Sequence, residues 1–406
     1  MPPVGLSIEY PLIANYLGTG PCPPPALVAE LLKLGPAPLA LSGVSQDLTA
    51  PNGALTGSPS SWEAATLYPL PVNFWTQLHC LLAATKAPLT VGINLRSGQA
   101  SWATQLLAAA QTAAANGVDF SLGNEPDLYV LPNYSSLGKP VTIENVAAVT
   151  LYLKLVSSLR QALGGVRVVG PELAGPRHWR RQLPRVISEL HPQTVGVHLY
   201  PLSSCQNPGS PTVRKLLSPR AADAPRSLAW VVGIANAGGV PAIISEANSV
   251  ACGGTSGVSD SPAAAVWAVR FVINALKSGF REVRFHLSGG PYDPFIVAGA
   301  EVIARPLERA LTALNRWLPV GASLRTLAGV KGVLATVVTG APAGRRVIFD
   351  NEQGKAQTLA LPASHPLAAE AYGPSQAGPQ IFRLPARAGR VKIRVPGNSV
   401  VTVTFG

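Results

Sequence analysis

Two short stretches carry side chains suited to acid–base and nucleophilic chemistry. Asn124-Glu125-Pro126-Asp127 and Glu246-Ala247-Asn248-Ser249 each place a glutamate just after a short apolar run that reads as a β-strand, Val118–Leu122 in the first case and Pro241–Ser245 in the second. Cleavage of a glycosidic bond needs such a pair. One carboxylic acid protonates the departing oxygen, and one carboxylate acts as nucleophile or base. The two must sit in unequal surroundings so that their pKa values separate. Alone, Asn-Glu-Pro also fits a helix start, with Asn124 capping and Pro126 in the first turn. A second glutamate at the end of another strand favours a shared site instead.

Those glutamates must be positioned by a framework, and the chain has the pattern of one. Short apolar runs at Gly5–Glu9, Ala37–Leu41, Pro88–Asn94, Val118–Leu122, Val166–Val169, Thr194–His198, Pro241–Ser245 and Glu282–His286 read as strands. Helical patterns lie between them at Pro25–Leu34, Asn73–Thr85, Ala100–Asn116, Ile143–Leu163, Trp179–Leu190, Ala221–Ala237 and Ser261–Ser278. This alternation predicts parallel strands with right-handed crossovers, and their number closes an α/β (β/α)8 TIM barrel over residues 1–315. After Trp317 the helical period disappears. Gly/Pro-bounded runs at Leu334–Thr339, Arg346–Asp350, Gln357–Leu361, Gln380–Leu384 and Lys392–Phe405 predict a smaller C-terminal all-β sandwich domain over 316–406, to which the extreme N-terminus could add. In such a barrel, functional groups follow the C-terminal strand ends, so Glu125 and Glu246 point into one bowl from the fourth and seventh strands.

Composition narrows the remaining classes. Hydrophobic residues are 47% and charged residues 13% of the chain, which excludes a disordered or acidic solvating protein. The long uncharged stretches Ser97–Val118 and Ser227–Ser245 are broken by amides or by Gly238, Gly239 and Pro241, so no membrane span is expected. The net charge of +12 favours an acidic partner. The basic residues are scattered without interleaved aromatics, which argues against nucleic acid. None of Cys22, Cys80, Cys205 and Cys252 forms a C-x-x-C pair, which argues against a zinc site. Cys205 and Cys252 fall in neighbouring loops after the sixth and seventh strands, where a bridge is expected to stiffen the mouth, while Cys22 and Cys80 are left open. An even cysteine count fits a secreted or periplasmic protein. Met1, followed by Pro2 and Pro3, carries no secretory signal and reads as an initiator on a trimmed chain.

Longer motifs narrow the reading further. Ser-Leu-Gly-Asn-Glu-Pro-Asp (121–127) and Ile-Ser-Glu-Ala-Asn-Ser-Val-Ala-Cys-Gly-Gly (244–254) resemble the two catalytic motifs of glycoside hydrolase family 79, which contains β-glucuronidases and heparanases within a large retaining clan of barrel glycosidases. The resemblance continues at Gly-Leu-Ser-Ile-Glu-Tyr (5–10), Ser-Gly-Val-Ser-Gln-Asp (42–47), Val-His-Leu-Tyr (197–200) and Gly-Gly-Pro-Tyr (289–292), in order along the barrel. It departs at the second strand, where an Arg-containing stretch of the family is replaced by Leu39-Ala40-Leu41-Ser42-Gly43.

The resemblance implies a retaining β-glucuronidase with Glu125 as acid/base and Glu246 as nucleophile. Asn124 would bind the sugar 2-hydroxyl, and Tyr200 would donate to Glu246. Gly253, Gly254 and Tyr292 would clamp the uronate carboxylate, using backbone N–H groups and a phenol. Glu9 and Asp47 would line the sugar-binding end, and His286 would stand nearby as a core or substrate-facing residue. No metal or cofactor is required for this chemistry. Exo cleavage of terminal glucuronides is the first expectation, and endo cleavage of a heparan-sulfate-like acidic polysaccharide the alternative.

Overall fold

The computed structural model describes residues 2–51, 68–114, 117–129, 146–330, 332–340, 345–363, 365–376 and 378–405. Eight strands, β1 (Val4–Ile8), β2 (Leu39–Leu41), β3 (Leu89–Ile93), β4 (Val118–Leu122), β5 (Val168–Leu173), β6 (Thr194–Leu199), β7 (Ala242–Ala247) and β8 (Val283–Leu287), close into a parallel barrel in which each neighbours the next and β8 returns to β1. Each expected strand is present within a few residues. Helices α1 (Tyr10–Leu17), α2 (Pro25–Lys33), α3 (Phe74–Thr85), α4 (Ala100–Ala113), α5 (Val146–Leu163), α6 (Leu183–Leu190), α7 (Ala229–Ala237), α8 (Pro262–Lys277) and α9 (Pro306–Trp317) accompany the strands. The expected helix ends at 115–116 and 143–145 lie outside the described residues, as does Met1.

Period-two alternation decides what the barrel encloses. Leu6, Ile8, Val195, Val197, Val283 and Phe285 belong to the apolar core shared with the helices, and Phe285 meets Trp267 of α8 edge-on at 6.1 Å between ring centroids. Burying each such side chain contributes roughly 1.5–3 kcal/mol. The intervening residues Ser7, Ser121, Glu172, Gly196, His198, Ser245 and His286 form a polar interior. Small residues make room there. A Cβ at Gly196 would lie 2.5 Å from the Ser245 Oγ and 2.9 Å from Glu172 Cγ.

Where the helices depart from expectation, proline is the reason. The run expected as one helix over Ala221–Ala237 breaks into a short helix at Pro219–Ala222, a tight turn at Ala224–Leu228 holding Pro225, and α7. Helix α6 starts at Leu183, not Trp179, with Pro184 in its first turn, where a missing N–H does no harm. Helix α1, with Pro11 in the same position, escaped the periodicity reading.

The C-terminal region forms a six-stranded antiparallel sheet and a three-stranded one. Their strands are β9 (Ser323–Val330), β10 (Val333–Thr339), β11 (Arg345–Asn351), β12 (Gln357–Pro362), β13 (Leu367–Tyr372), β14 (Gln380–Leu384), β15 (Ala386–Arg387), β16 (Arg390–Val395) and β17 (Ser399–Phe405). The orders are β9-β10-β11-β17-β13-β14 and β12-β16-β15. The expected run Lys392–Phe405 is two strands, split where Asn398 takes a left-handed φ of 51°. Strands β9 and β13 were not expected, because Ala-rich Leu367-Ala-Ala-Glu-Ala-Tyr372 has weak strand propensity and is set by its partners.

One face of the larger sheet (Val337, Phe349, Ala371, Val401) packs with Ile393 and Leu359 of the smaller, while Val338, Ile348, Tyr372 and Val400 join the barrel core. Polar contacts fix the junction. Arg270 Nε of α8 donates to Asp350 Oδ1 at 2.8 Å, and Glu370 accepts from Arg316, from Trp317 Nε1 at 3.2 Å and from Tyr372 OH at 2.9 Å. The boundary expected between 315 and 316 thus falls inside α9. Among the described residues, those before β1 pair with neither C-terminal sheet.

Candidate active site

Glu125 stands in the turn after β4 in a left-handed conformation, φ 48° and ψ 54°, following Gly123 at φ 83°. Such a backbone costs on the order of 1–3 kcal/mol for a non-glycine residue and persists only when its surroundings enforce it. Two buried aspartates do so. Asp47 accepts from Asn124 N at 3.1 Å, Leu95 N at 3.2 Å and Tyr129 OH at 2.6 Å. Downstream, Asp127 accepts from Ala174 N at 3.1 Å and Gly175 N at 2.7 Å. Gly123 leaves space for this arrangement, since a Cβ there would lie 2.4 Å from the Tyr129 OH.

Asp47 is 3% exposed and its oxygens serve protein donors. It therefore braces the Glu125 turn. Burial pushes its carboxyl up to about 7, against the pull of the Tyr129 and Asn124 hydrogen bonds. Burial likewise raises Asp127 to about 6, with the Gly175 N–H opposing and the Glu125 charge adding to the rise.

Asp47→Asn replaces an acceptor with a donor facing N–H groups. It is expected to lower stability by about 1–3 kcal/mol. Urea unfolding checks the value, and an unchanged midpoint would remove the brace.

Glu9 has a comparable bracing role while its carboxylate also lies 3.4 Å from His286 Nε2. One carboxylate oxygen accepts from Val44 N at 3.0 Å and the other from Ser45 N at 2.8 Å and the Ser45 hydroxyl, so Glu9 ties the loop after β2 to β1. Gly43, at φ 88°, lets that loop close, as its Cβ would lie 2.5 Å from Glu9 Oε1. Burial works to raise the Glu9 pKa, but His286 and Ser45 together hold it below the ordinary value.

Glu246 is aimed by a break in the β7 register. Ile244 pairs with Val197 of β6 whereas Glu246 pairs with His198, which turns both side chains inward. Tyr200 OH donates to Glu246 Oε1 at 2.6 Å. The other oxygen, Oε2, is buried without a hydrogen bond and lies 3.4 Å from His286 Nδ1 and 3.7 Å from His198 Nδ1. Asn124 Oδ1 is a second buried acceptor without a partner.

His198 joins the two glutamates. Its Nδ1 donates to Glu125 Oε1 at 2.9 Å, and its nitrogen and one oxygen from each glutamate lie within 4.8 Å of one another. Burial opposes its charge, but Glu246, the Glu125 hydrogen bond and Glu172 outweigh burial and raise its pKa to about 10. His286 is also raised, by Glu246 and Glu9 against burial. By their donor set, Glu125, His198 and Glu246 are also the residues that could hold a cation, although an imidazole that prefers its proton is a donor before it is a ligand.

The elevated His198 pKa sets a sign for stability. A group raised from about 6.5 to about 10 by folding stabilises fully below the lower value, and this contribution is lost as pH climbs through the upper one. Thermal melts are expected to fall across that window. A His198→Gln variant should flatten the fall, and an identical slope in the variant would count against the imidazolium.

The seventh and eighth loops complete the bowl. Cys252, Gly253 and Gly254 have φ of 63°, 85° and 92°, and a Cβ on Gly254 would lie 2.8 Å from Tyr292 N. Asn248 Nδ2 binds the carbonyls of His286 at 2.9 Å and Tyr292 at 3.1 Å, locking these loops together. Tyr292 OH meets Ser288 Oγ at 2.8 Å, and its ring lies 6.3 Å from that of Tyr200. A Cys205–Cys252 disulfide joins the loops after β6 and β7, and a Cys22–Cys80 disulfide joins the α1–α2 connection to α3.

Of the expected site residues, Asn124, Glu125, Tyr200, Glu246 and His286 converge, Gly253, Gly254 and Tyr292 form the adjacent wall, and Glu9 and Asp47 support the loops. Sequence reasoning gave no role to His198 or Asp127. His198 could have been found from alternation, lying two residues after the inward Gly196 and two before Tyr200.

No protein-family model matches the sequence, and no curated protein matches it. Solved structures do. A 4-O-α-L-rhamnosyl-β-D-glucuronidase from Fusarium oxysporum 12S aligns with a TM-score of 0.73 at 17% identity, covering 99% of this chain and 96% of that one. A family 51 α-L-arabinofuranosidase from Bifidobacterium longum gives 0.69 at 13% identity, covering 99% and 95%. A glycoside hydrolase family 30 subfamily 8 xylanase from Clostridium acetobutylicum gives 0.61 at 14% identity, covering 98% and 95%. Likeness at such identities speaks for architecture, and it spans nearly the full length on both sides. The chain thus has the fold of these barrel glycoside hydrolases, an eight-stranded parallel barrel carrying a C-terminal β domain, with its two facing glutamates after the fourth and on the seventh strand.

Proposed function

We propose that the protein is a retaining glycoside hydrolase that releases β-linked glucuronate, acting in the first instance on terminal residues. The observation that carries this reading is the approach of Glu125 and Glu246, whose oxygens lie within 4.8 Å around His198. Double displacement uses carboxyl groups about 5–5.5 Å apart, whereas inversion needs about 6.5–9.5 Å to admit a water.

Glu246 attacks the anomeric carbon through Oε2, the oxygen left without a hydrogen bond, while Tyr200 holds Oε1. Glu125 protonates the departing oxygen, and the glycosidic C–O bond breaks as the ester to Glu246 forms. Glu125, now ionised, takes a proton from water, which displaces Glu246 and restores the β configuration. Asn124 Oδ1 is free to accept from a sugar hydroxyl. Backbone N–H groups of the Gly253-Gly254 turn and the Tyr292 phenol receive the uronate carboxylate. The glucuronidase named among the structural neighbours supports the substrate class, and the two disulfides support a secreted or periplasmic location. Among the described residues no helix is long and apolar enough to cross a membrane.

The test compares an aryl β-D-glucuronide with the matching β-D-glucoside. The expected preference for the glucuronide in kcat/KM is about 100-fold or more, because the glucoside leaves carboxylate-binding groups unpaired. NMR of the first product should show the β anomer. Faster cleavage of the glucoside would end the uronate assignment, and an initial α anomer would end the retaining one.

A further inference from the structure

The loop after β8, residues 288–294, carries Tyr292 and is pinned by an arginine that touches no other part of the site. Beyond the loop the chain runs out and back as a hairpin, Phe295–Ala298 paired antiparallel with Glu301–Ala304. This returns Arg305 to the loop, where its N–H donates to Pro294 O at 2.8 Å. The half-buried Arg305 side chain then gathers the loop's carbonyls. Its Nη1 donates to Gly290 O at 2.7 Å, Pro291 O at 2.9 Å and Asp293 O at 3.1 Å. Among the described residues no carboxylate forms an ion pair with it. Three carbonyl oxygens converging on one nitrogen repel one another, and the guanidinium charge is what keeps them together.

The N–H groups of the same loop divide in two. Those of Ser288 and Gly289 go to the Asp293 carboxylate at 3.1 and 2.9 Å, and that of Asp293 goes to Gly290 O at 3.2 Å. Pro291 and Pro294 have none. Gly290 and Tyr292 keep theirs with no acceptor among the described residues. The Pro291–Tyr292 peptide is trans and planar, so with its carbonyl on Arg305 the Tyr292 N–H points away from the guanidinium. Tyr292 N also faces the Gly253-Gly254 turn, since a Cβ on Gly254 would lie 2.8 Å from it, and a Cβ on Gly290 would collide with Gly253 O. Free N–H groups on such closely packed backbone suit an anion. A cation on the carbonyl end of a peptide polarises it and strengthens the N–H as a donor.

We infer that Arg305 is a positioning residue for uronate binding. By holding three carbonyls it keeps Tyr292 against the Gly253-Gly254 turn, and so sets the preference for a carboxylate over a hydroxymethyl group on the sugar. This rests on the glucuronidase reading above and adds to it a determinant of specificity that itself stays off the substrate.

Wild type, Arg305→Ala and Arg305→Lys are compared on an aryl β-D-glucuronide and the matching β-D-glucoside. The readout is the glucuronide-to-glucoside ratio of kcat/KM. Arg305→Ala is expected to lower the ratio about tenfold, the scale of one charge-assisted hydrogen bond. A binding contact is present before the transition state, so the fall should come mainly from a higher KM for the glucuronide. Arg305→Lys keeps a cation with three N–H groups and should retain most of the ratio. Millimolar guanidinium should restore the ratio to Arg305→Ala, and sodium chloride at the same concentration should not. If circular dichroism shows the alanine variant unfolded, Arg305→Gln, which fills the space without the charge, carries the comparison. An unchanged ratio in a folded variant, or equal losses on both substrates without rescue, overturns the role of Arg305 and leaves the catalytic reading intact. A wild type that does not prefer the glucuronide overturns the uronate reading itself, before any variant is made.

Discussion

Glu246→Gln is expected to lower kcat on an aryl β-D-glucuronide by a factor on the order of 10⁶, the scale reached when a covalent nucleophile is removed from an enzyme. The amide keeps the shape of the carboxylate and can still accept from Tyr200, so positioning survives while the attacking charge is lost. The loss reaches further than one bond. His198 and His286 are both raised by Glu246, after the opposing effect of burial. Removing that charge lowers both, and His286 should titrate closer to neutral, which NMR of the ring protons can follow. Circular dichroism must show a folded variant for the comparison to hold. Turnover near the wild-type rate would remove Glu246 from the reaction.

Glu125→Gln should behave differently, and the difference is the more searching test. General-acid assistance is worth about 10²–10⁴ in rate, and it matters most where the leaving group is a poor one. A phenyl or alkyl β-glucuronide should therefore lose that factor. A dinitrophenyl β-glucuronide, which departs without a proton, should still form the Glu246 ester and then stall, giving a burst. Azide needs no general base. It should displace Glu246 from the sugar, restore turnover and yield the β-glucuronosyl azide. Equal loss over all leaving groups, with no azide product, would mean that Glu125 supports the fold and does not carry the proton. Asp47 and Asp127 enter here as positioning residues, since they hold the left-handed turn from which Glu125 is presented.

Much of this architecture is legible in the sequence. The barrel strands are short apolar runs because both of their faces are covered, and their alternation with helices leaves few topologies open. The positions of Glu125 and Glu246 at strand ends follow from that pattern alone. Strand β13 is not legible, because alanine has no strong preference and its pairing with β17 and β14 is made by distant residues. The kink before α7 follows from Pro225, a local signal that apolar periodicity overrides when the run is read as one helix.

Which partners a carboxylate meets was decided only in three dimensions. Glu9 and Asp47 carry the same group as Glu125 and Glu246, yet backbone N–H groups from remote loops consume their oxygens. The register break at Glu246 and the placing of His198 between two acids likewise arise from neighbouring strands meeting around a closed barrel. Residue types, their order and the run of strands and helices are local properties, and the chain states them directly. Whether an acid meets a sugar, a backbone amide or an imidazolium is set by contacts between segments scores of residues apart, which only the closed barrel brings together.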